Sequence, residues 1–497
     1  MANATMTDYT RGKLFPMILK FSIPAAVSLL ISAIYNIVDR MFVGNFVGTS
    51  ALAGLSICFP LSFMMMAFAL MCSAGGASLF SLFAGRQEQR SMNRAFGNAL
   101  ILVVVCELAL TAVLMLLADP LLRLFGVTQT AYPYALPYYR IVVLGCLFQG
   151  LTQVCCDFVR VSGKPVLGMC VTGVGAVTNI ALDAVFVMLL DWGVRGAAWA
   201  TVIGQIFSAA FGLYLVLSGK PLVEIRRDTF HFDRRLSGKI VSCGFAFWIA
   251  QMANGLISLV YNSQLGKYGG DNAISVYAVV SSIMTFVTMP SSGISQGIQP
   301  IVGNNYGAGQ YRRVMATLYQ ASVLSVGITA VIWVLVMAFP APILMAFGAT
   351  GEMLAIGIPG LRTNFCVTPI LGFVMLVTTF FQSLAKPAPS IVLTPPRQIV
   401  FPRSLSVPLP CGHGHPRRLY GPAGERSAGS GALHPSGHPG TAHPLRQTAR
   451  RGQITEKAKG TVPESPGAVP LVMFGKIRLL RRQIPPGWRH WARGRAG

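Results

Sequence analysis

Two short stretches place acidic and amide side chains one helical turn apart inside otherwise apolar sequence. Tyr35, Asn36 and Asp39 stand in YNIVDRMF, and Asn179 and Asp183 stand in TNIALD. The spacings of three and four residues put each set on one face of a helix. Two carboxylates and a carboxamide that meet in a dry cavity suit a proton or Na⁺. Two nearby acids resist being ionised together, so a proton can be held and released. Na⁺ is a hard cation and takes the same oxygens. The competing reading keeps the acids apart, each capping or pairing locally, for example Asp39 with the adjacent Arg40. Two further acids stand in apolar surroundings. Asp157 precedes Arg160 by three residues and reads as its interfacial salt-bridge partner. Glu107 is a lone carboxylate and leaves two readings, a side chain facing the bundle or one kept protonated.

The elements that must position these residues follow from composition. Of 497 residues, 53% are hydrophobic and 11% charged, with a mean hydropathy of +0.57. Soluble domains carry about 25% charged residues. A soluble multidomain enzyme cannot cover its surface with so few charges, and fibrous or mostly disordered chains are excluded over most of the length. Apolar stretches long enough for a bilayer run roughly 15–43, 51–83, 96–118, 131–158, 165–190, 194–218, 237–266, 273–303, 317–340 and 354–384, each near the ~20 residues or more that a span needs. An eleventh begins near Pro387 and stops after Phe401. The first stretch is too long for a cleavable signal peptide. Nine of the ten cysteines lie in such stretches, none with metal-ligand spacing, and read as small core residues.

The net charge of +24 would suggest nucleic acid in a soluble chain, but its placement says otherwise. The N-terminus and the even-to-odd loops hold 17 Lys and Arg, including Arg226, Arg227, Arg234, Arg235 and Lys239, against 3 in the alternate loops. This asymmetry predicts a cytoplasmic N-terminus and no nucleic-acid role.

An internal repeat organises the chain. At an offset of 222 residues Gly75 falls on Gly297, Gly85 on Gly307, Arg90 on Arg312, Phe125-Gly126 on Phe347-Gly348, Pro137 on Pro359, Arg140 on Arg362 and Lys164-Pro165 on Lys386-Pro387. Tyr35-Asn36 matches Tyr261-Asn262 if the second copy is four residues shorter there. Each copy starts on the same side, so the repeats are parallel. The fold class is therefore an all-α polytopic membrane protein of two parallel six-helix lobes, with a site between or inside them. The expected division is a first lobe over 1–218, a basic connector over 219–236 and a second lobe over 237–401. The repeat requires the rest of helix 11 and helix 12 at 401–438, yet the sequence after Phe401 is rich in Pro, Gly, Arg and His. Residues 402–497 read as a disordered tail translated in a shifted frame, which leaves the second lobe incomplete.

The stretches SIPAAVSLLISAIYNIVDRMFVG, TNIALDAVFVM, VRGAAWATVIGQ, YNSQLGKYGG and GISQGIQPIVGNNYGAGQYRRV resemble the bacterial multidrug and toxic compound extrusion (MATE) family over residues 10–401. The resemblance implies a monomeric twelve-helix antiporter of the bacterial cytoplasmic membrane. It would export amphipathic, often cationic compounds against H⁺ or Na⁺, with no catalytic residue, no cofactor and no metal other than Na⁺. It also implies a cation site at Asp39, Asn179, Asp183 and Thr201 with Tyr35 close by, and a helix-1 bend at Pro24. Tyr35, Asn36, Gln205, Gln251 and Asn262 are the side chains expected to line the cavity. Helices 7, 8 and 10 lack the carboxylate that some branches carry, so coupling should rest on the first lobe. The alternatives are a flippase of lipid-linked sugars, which needs several basic residues in its cavity, and an inactive truncated transporter.

Overall fold

The computed structural model describes residues 9–218, 227–268, 270–346, 352–365, 368–386 and 388–392. Among them the secondary structure is helical throughout, with no strand. In lipid a backbone amide finds no water, so each span must satisfy its own hydrogen bonds, and a helix does so. Hydroxyls within the spans turn back on their own helices: Ser78 donates to Ala74 O at 2.8 Å, Ser81 to Ala77 O at 2.9 Å and Thr317 to Arg313 O at 2.8 Å.

The first half contains α1 (Leu14–Phe42), α2 (Thr49–Gly85), α3 (Gln89–Leu116), the short α4 (Ala118–Leu124), α5 (Tyr132–Leu144), α6 (Cys146–Val161), α7 (Pro165–Asp183) and α8 (Gly193–Leu217). The second half contains α9 (Arg234–Tyr268), α10 (Gly270–Gly307), α11 (Tyr311–Ala338), α12 (Pro340–Ala346), α13 (Glu352–Phe365) and α14 (Thr368–Ser383). The 222-residue offset carries both ends of α3, α4 and α6 onto both ends of α11, α12 and α14. The protein is thus built of two parallel lobes, and within the described residues the second copies the first as far as 392. Residues 393–497, where the end of helix 11 and the tail are expected, lie outside the described residues. Seven described helices are long and apolar enough to cross a membrane, or eight if α5 and α6 form one span.

One expected span is not a single helix. The stretch 131–158 divides into α5 and α6, bent by 46° at Gly145. A Cβ at Gly145 would stand 2.5 Å from Gln205 Oε1 and 3.0 Å from a Val202 methyl on α8, so the bend brings bare backbone against that helix. Within the stretch 354–384, α13 and α14 are described, and residues 366–367 between them lie outside the described residues. Helix α9 starts at Arg234, within the stretch expected as the basic connector. The end of the connector is docked on α3: Asn98 donates to His231 O at 3.1 Å and accepts from Asp233 N at 2.9 Å and Ser237 Oγ at 3.0 Å.

The lobes meet chiefly through α2 against α9 and α1 against α10, the symmetric pair of contacts a two-fold arrangement demands. Repeat-mate glycines make these approaches possible. A Cβ on Gly85 would collide with the Asn304 carbonyl, and one on its mate Gly307 with the Leu82 carbonyl. Near the same end of the bundle the segment before α1 bridges both halves. Tyr9 donates from its hydroxyl to Val161 O at 3.2 Å, while its own carbonyl accepts from Asn305 at 3.1 Å and Arg313 at 3.1 Å.

Candidate functional site

Asp39 lies in the last turn of α1, directly before a π-helical turn over Val43–Val47. Asp183 is the last residue of α7 and is followed at once by a second π-helical turn, Ala184–Leu189. The two π turns touch each other, and α1 packs on α7. Such widened turns are rare and collect at functional sites. Here each follows a buried acid.

The carboxylates are enclosed: Asp39 is 7% exposed and Asp183 fully buried. They lie within electrostatic reach of each other. Asn179 is buried one turn before Asp183, and its Nδ2 donates to Thr201 Oγ1 on α8 at 3.4 Å. That contact depends on the small residues Gly175 and Gly204. A Cβ on Gly204 would sit 2.8 Å from Gly175 O and 3.1 Å from Asn179 Cβ, so α7 and α8 approach closely here. With Thr201 taking the amide donor, Asn179 Oδ1 has no partner, nor have Asp39 Oδ1 and both oxygens of Asp183. Four buried oxygens, three of them on carboxylates, are therefore left without donors around one place in the first lobe. Ordinary interiors pair such atoms, because an unpaired buried polar group costs about 1–3 kcal/mol and a charge more.

Of the other expected residues, Tyr35 is half-buried one turn before Asp39 and within its field. Asn36 is exposed and donates back to Ser32 O at 2.6 Å, so it does not join the buried oxygens. The boundary between buried and exposed side chains on this helix falls between Asn36 and Asp39. Gln205 is half-buried, with its Oε1 turned to the α5–α6 bend at Gly145. Gln251 sits on α9 and accepts from Asn254 at 3.1 Å. Asn262 also belongs to α9, but its side chain lies outside the described residues. Pro24 is buried in α1, which runs on without a break; its carbonyl accepts from Ser28 Oγ at 2.9 Å.

Tyr138 on α5 joins this set without a signal in the sequence that places it there. It lies within electrostatic reach of Asp39, Asp183 and Arg40 together. Its sequence signal, a tyrosine beside Pro137 in an apolar stretch, carries no tie to acids about a hundred residues before it and half that distance after. Asp157 pairs with Arg160 as expected; the pair is buried in the last turns of α6, and Arg160 also donates to Gln296 Oε1 of α10 at 2.5 Å.

The MatE family profile matches residues 24–185 and 247–397. The chain is 21% identical over 332 residues to the multidrug export protein MepA of Staphylococcus aureus, covering 67% of this chain and 73% of that protein. It is similar in structure to the MATE multidrug transporter DinF-BH, at 32% identity and a TM-score of 0.75, covering 80% of this chain and 89% of that one. A MOP superfamily transporter from Pyrococcus furiosus shares the fold at 22% identity and a TM-score of 0.75, with the same coverage of 80% and 89%.

Proposed function

The chain belongs to the MatE family and is a multi-pass membrane protein of the multidrug efflux type, and from that premise we propose a cation-coupled antiporter. In this reading it exports amphipathic, often cationic, drugs or toxins in exchange for H⁺ or Na⁺, as a monomer with its N-terminus in the cytoplasm. The observation that carries the reading is the set of unpartnered buried oxygens on Asp39, Asn179 and Asp183. Arg40 acts on Asp39, whereas the charged group acting on Asp183 is another acid, and a buried acid so placed is tolerable when it holds a proton or a metal cation. Asp183 supplies the main charge and Asn179 Oδ1 a neutral oxygen, left free because Thr201 takes the amide donor. Tyr35 and Tyr138 border the cluster. Arrival of the cation removes the net negative charge and, with it, the attraction for a positively charged drug. Departure of the cation restores both. Exchange follows because ion and drug neutralise the same charge in turn.

The cluster is acidic, which opposes the binding of a lipid-linked pyrophosphate. Purified protein in vesicles, given ethidium and an imposed pH or Na⁺ gradient, tests the proposal. Ethidium should accumulate against its gradient only while the ion gradient lasts, and Asp39→Asn and Asp183→Asn should each abolish this accumulation. Movement of a lipid-linked sugar with no response to ethidium would overturn it.

A further inference from the structure

A second enclosed acid lies in the first lobe, outside the Asp39–Asp183 cluster. Glu107 projects from α3 toward the bend where α5 gives way to α6, and it is fully buried. Cys146, the first residue of α6, donates its thiol hydrogen to Glu107 Oε2 at 2.8 Å. The other oxygen, Oε1, is buried with no partner. One turn further along α6 the side chain is cut back to hydrogen: a Cβ on Gly150 would lie 2.8 Å from Glu107 Cγ and 3.3 Å from Oε1. The pocket is thus shaped around the carboxyl group and offers it a single weak donor.

The titratable groups that act on Glu107 are thiols: Cys106 on its own helix, Cys72 on α2 and Cys146 on α6. No cation pairs with it among the described residues. An ionised carboxylate in that setting would face the full cost of a buried, uncompensated charge, several kcal/mol. A neutral carboxyl group would not.

We propose that Glu107 is a second proton-binding site, holding one proton on Oε1 beside the α5–α6 bend. The proton comes from water and returns to water, and no other bond changes. Because the thiol donor is the first residue past the bend, a change of bend angle withdraws it and admits water to the carboxyl. Tyr138, which borders the Asp39–Asp183 cluster, lies on α5 seven residues before Gly145, about 10 Å along the helix. One short helix therefore carries a residue of the ion cluster and, at its far end, the bend on which Glu107 rests. The assignment holds whether the ion at Asp39 and Asp183 is H⁺ or Na⁺.

Infrared spectroscopy of the purified full chain tests this, since a protonated carboxyl group in dry surroundings has its own C=O band. At neutral pH that band should persist in the Asp39→Asn/Asp183→Asn double variant and vanish in Glu107→Gln. Cys146→Ala should move it, because the bond to Oε2 is gone, and this variant keeps the test open if Glu107→Gln does not fold. A carboxyl band untouched by both Glu107→Gln and Cys146→Ala, or no band at neutral pH, would overturn the proposal. Loss of coupled efflux in the double variant with the band retained separates this site from the ion cluster.

Discussion

Replacing Asp183 by Asn removes a charge and keeps the shape of the side chain. Asp183 is fully buried, neither of its oxygens has a partner, and Asp39 is within electrostatic reach. Two acids so placed resist double ionisation and share one exchangeable charge. A proton moving down a gradient of one pH unit releases about 1.4 kcal/mol, a factor of about ten in an equilibrium. One shared proton exchanged per drug molecule then supports a drug gradient of about tenfold, and two independent protons would support about a hundredfold. In Asp183→Asn the pair can no longer share a charge and the cluster loses two of its three unpartnered carboxylate oxygens, so the steady-state ethidium gradient in vesicles should fall from about tenfold to none. Asp39→Asn should do the same, rather than halve the effect, because the acids act as one unit. The same arithmetic holds for a tenfold Na⁺ gradient. Thermal melting serves as the control. An amide in place of an unpaired carboxylate adds no buried charge, so the melting temperature should not fall. A stable Asp183→Asn protein that still builds a tenfold gradient refutes the reasoning. A wild-type gradient near a hundredfold refutes the shared-charge part of it.

The other expectations concern the frame around the site. Arg160→Ala leaves Asp157 buried without its partner and deletes the bond to Gln296, so unfolding measurements should show a loss of about 3–5 kcal/mol, much of it recovered in Asp157→Asn/Arg160→Met. Gly85→Leu drives a side chain into the Asn304 backbone, and reagent labelling of a cysteine placed at Asn304 should rise as the lobes part. Asp233 accepts from the amides of Arg235 at 2.9 Å and Leu236 at 3.2 Å, which hold its carboxyl below the usual carboxylate range. Its anchoring of the connector is therefore complete above the ordinary Asp value and lost as pH falls through the lowered one. The protection of the amides at residues 234–237, relative to their intrinsic exchange at each pH, should fall in acid, and Asp233→Ala should remove that change. Nucleotides downstream of codon 401, read in another frame, should encode about 40 residues with an image of VRGAAWATVIGQ near 416–427; their absence from all frames would overturn the shifted-frame reading.

What the sequence made legible, and what it hid, divides along one physical line. Backbone repeat and apolar length are written locally, so the offset that joins Gly85 to Gly307 also carries α3, α4 and α6 onto their copies. Asp39 and Asp183 were visible for a related reason, since an acid in an apolar stretch is costly wherever its helix packs. Contacts between distant faces are not written locally. Asn36 shares a helix face with Asp39, yet the closure of α1 on α7 buries one and leaves the other exposed. Tyr138 reaches the cluster from α5, the helix that ends in a bend at Gly145, where the missing side chain leaves room for Gln205 of α8. The π-helical turns after both acids have no signature in residue type. Arg160 illustrates the same limit. Its pairing with Asp157 follows from a spacing of three, whereas its reach to Gln296 requires α10 to lie beside α6. A buried polar group in a membrane protein thus announces from sequence that it must have a partner. Which partner it has is decided by the helix faces that the glycines allow to meet.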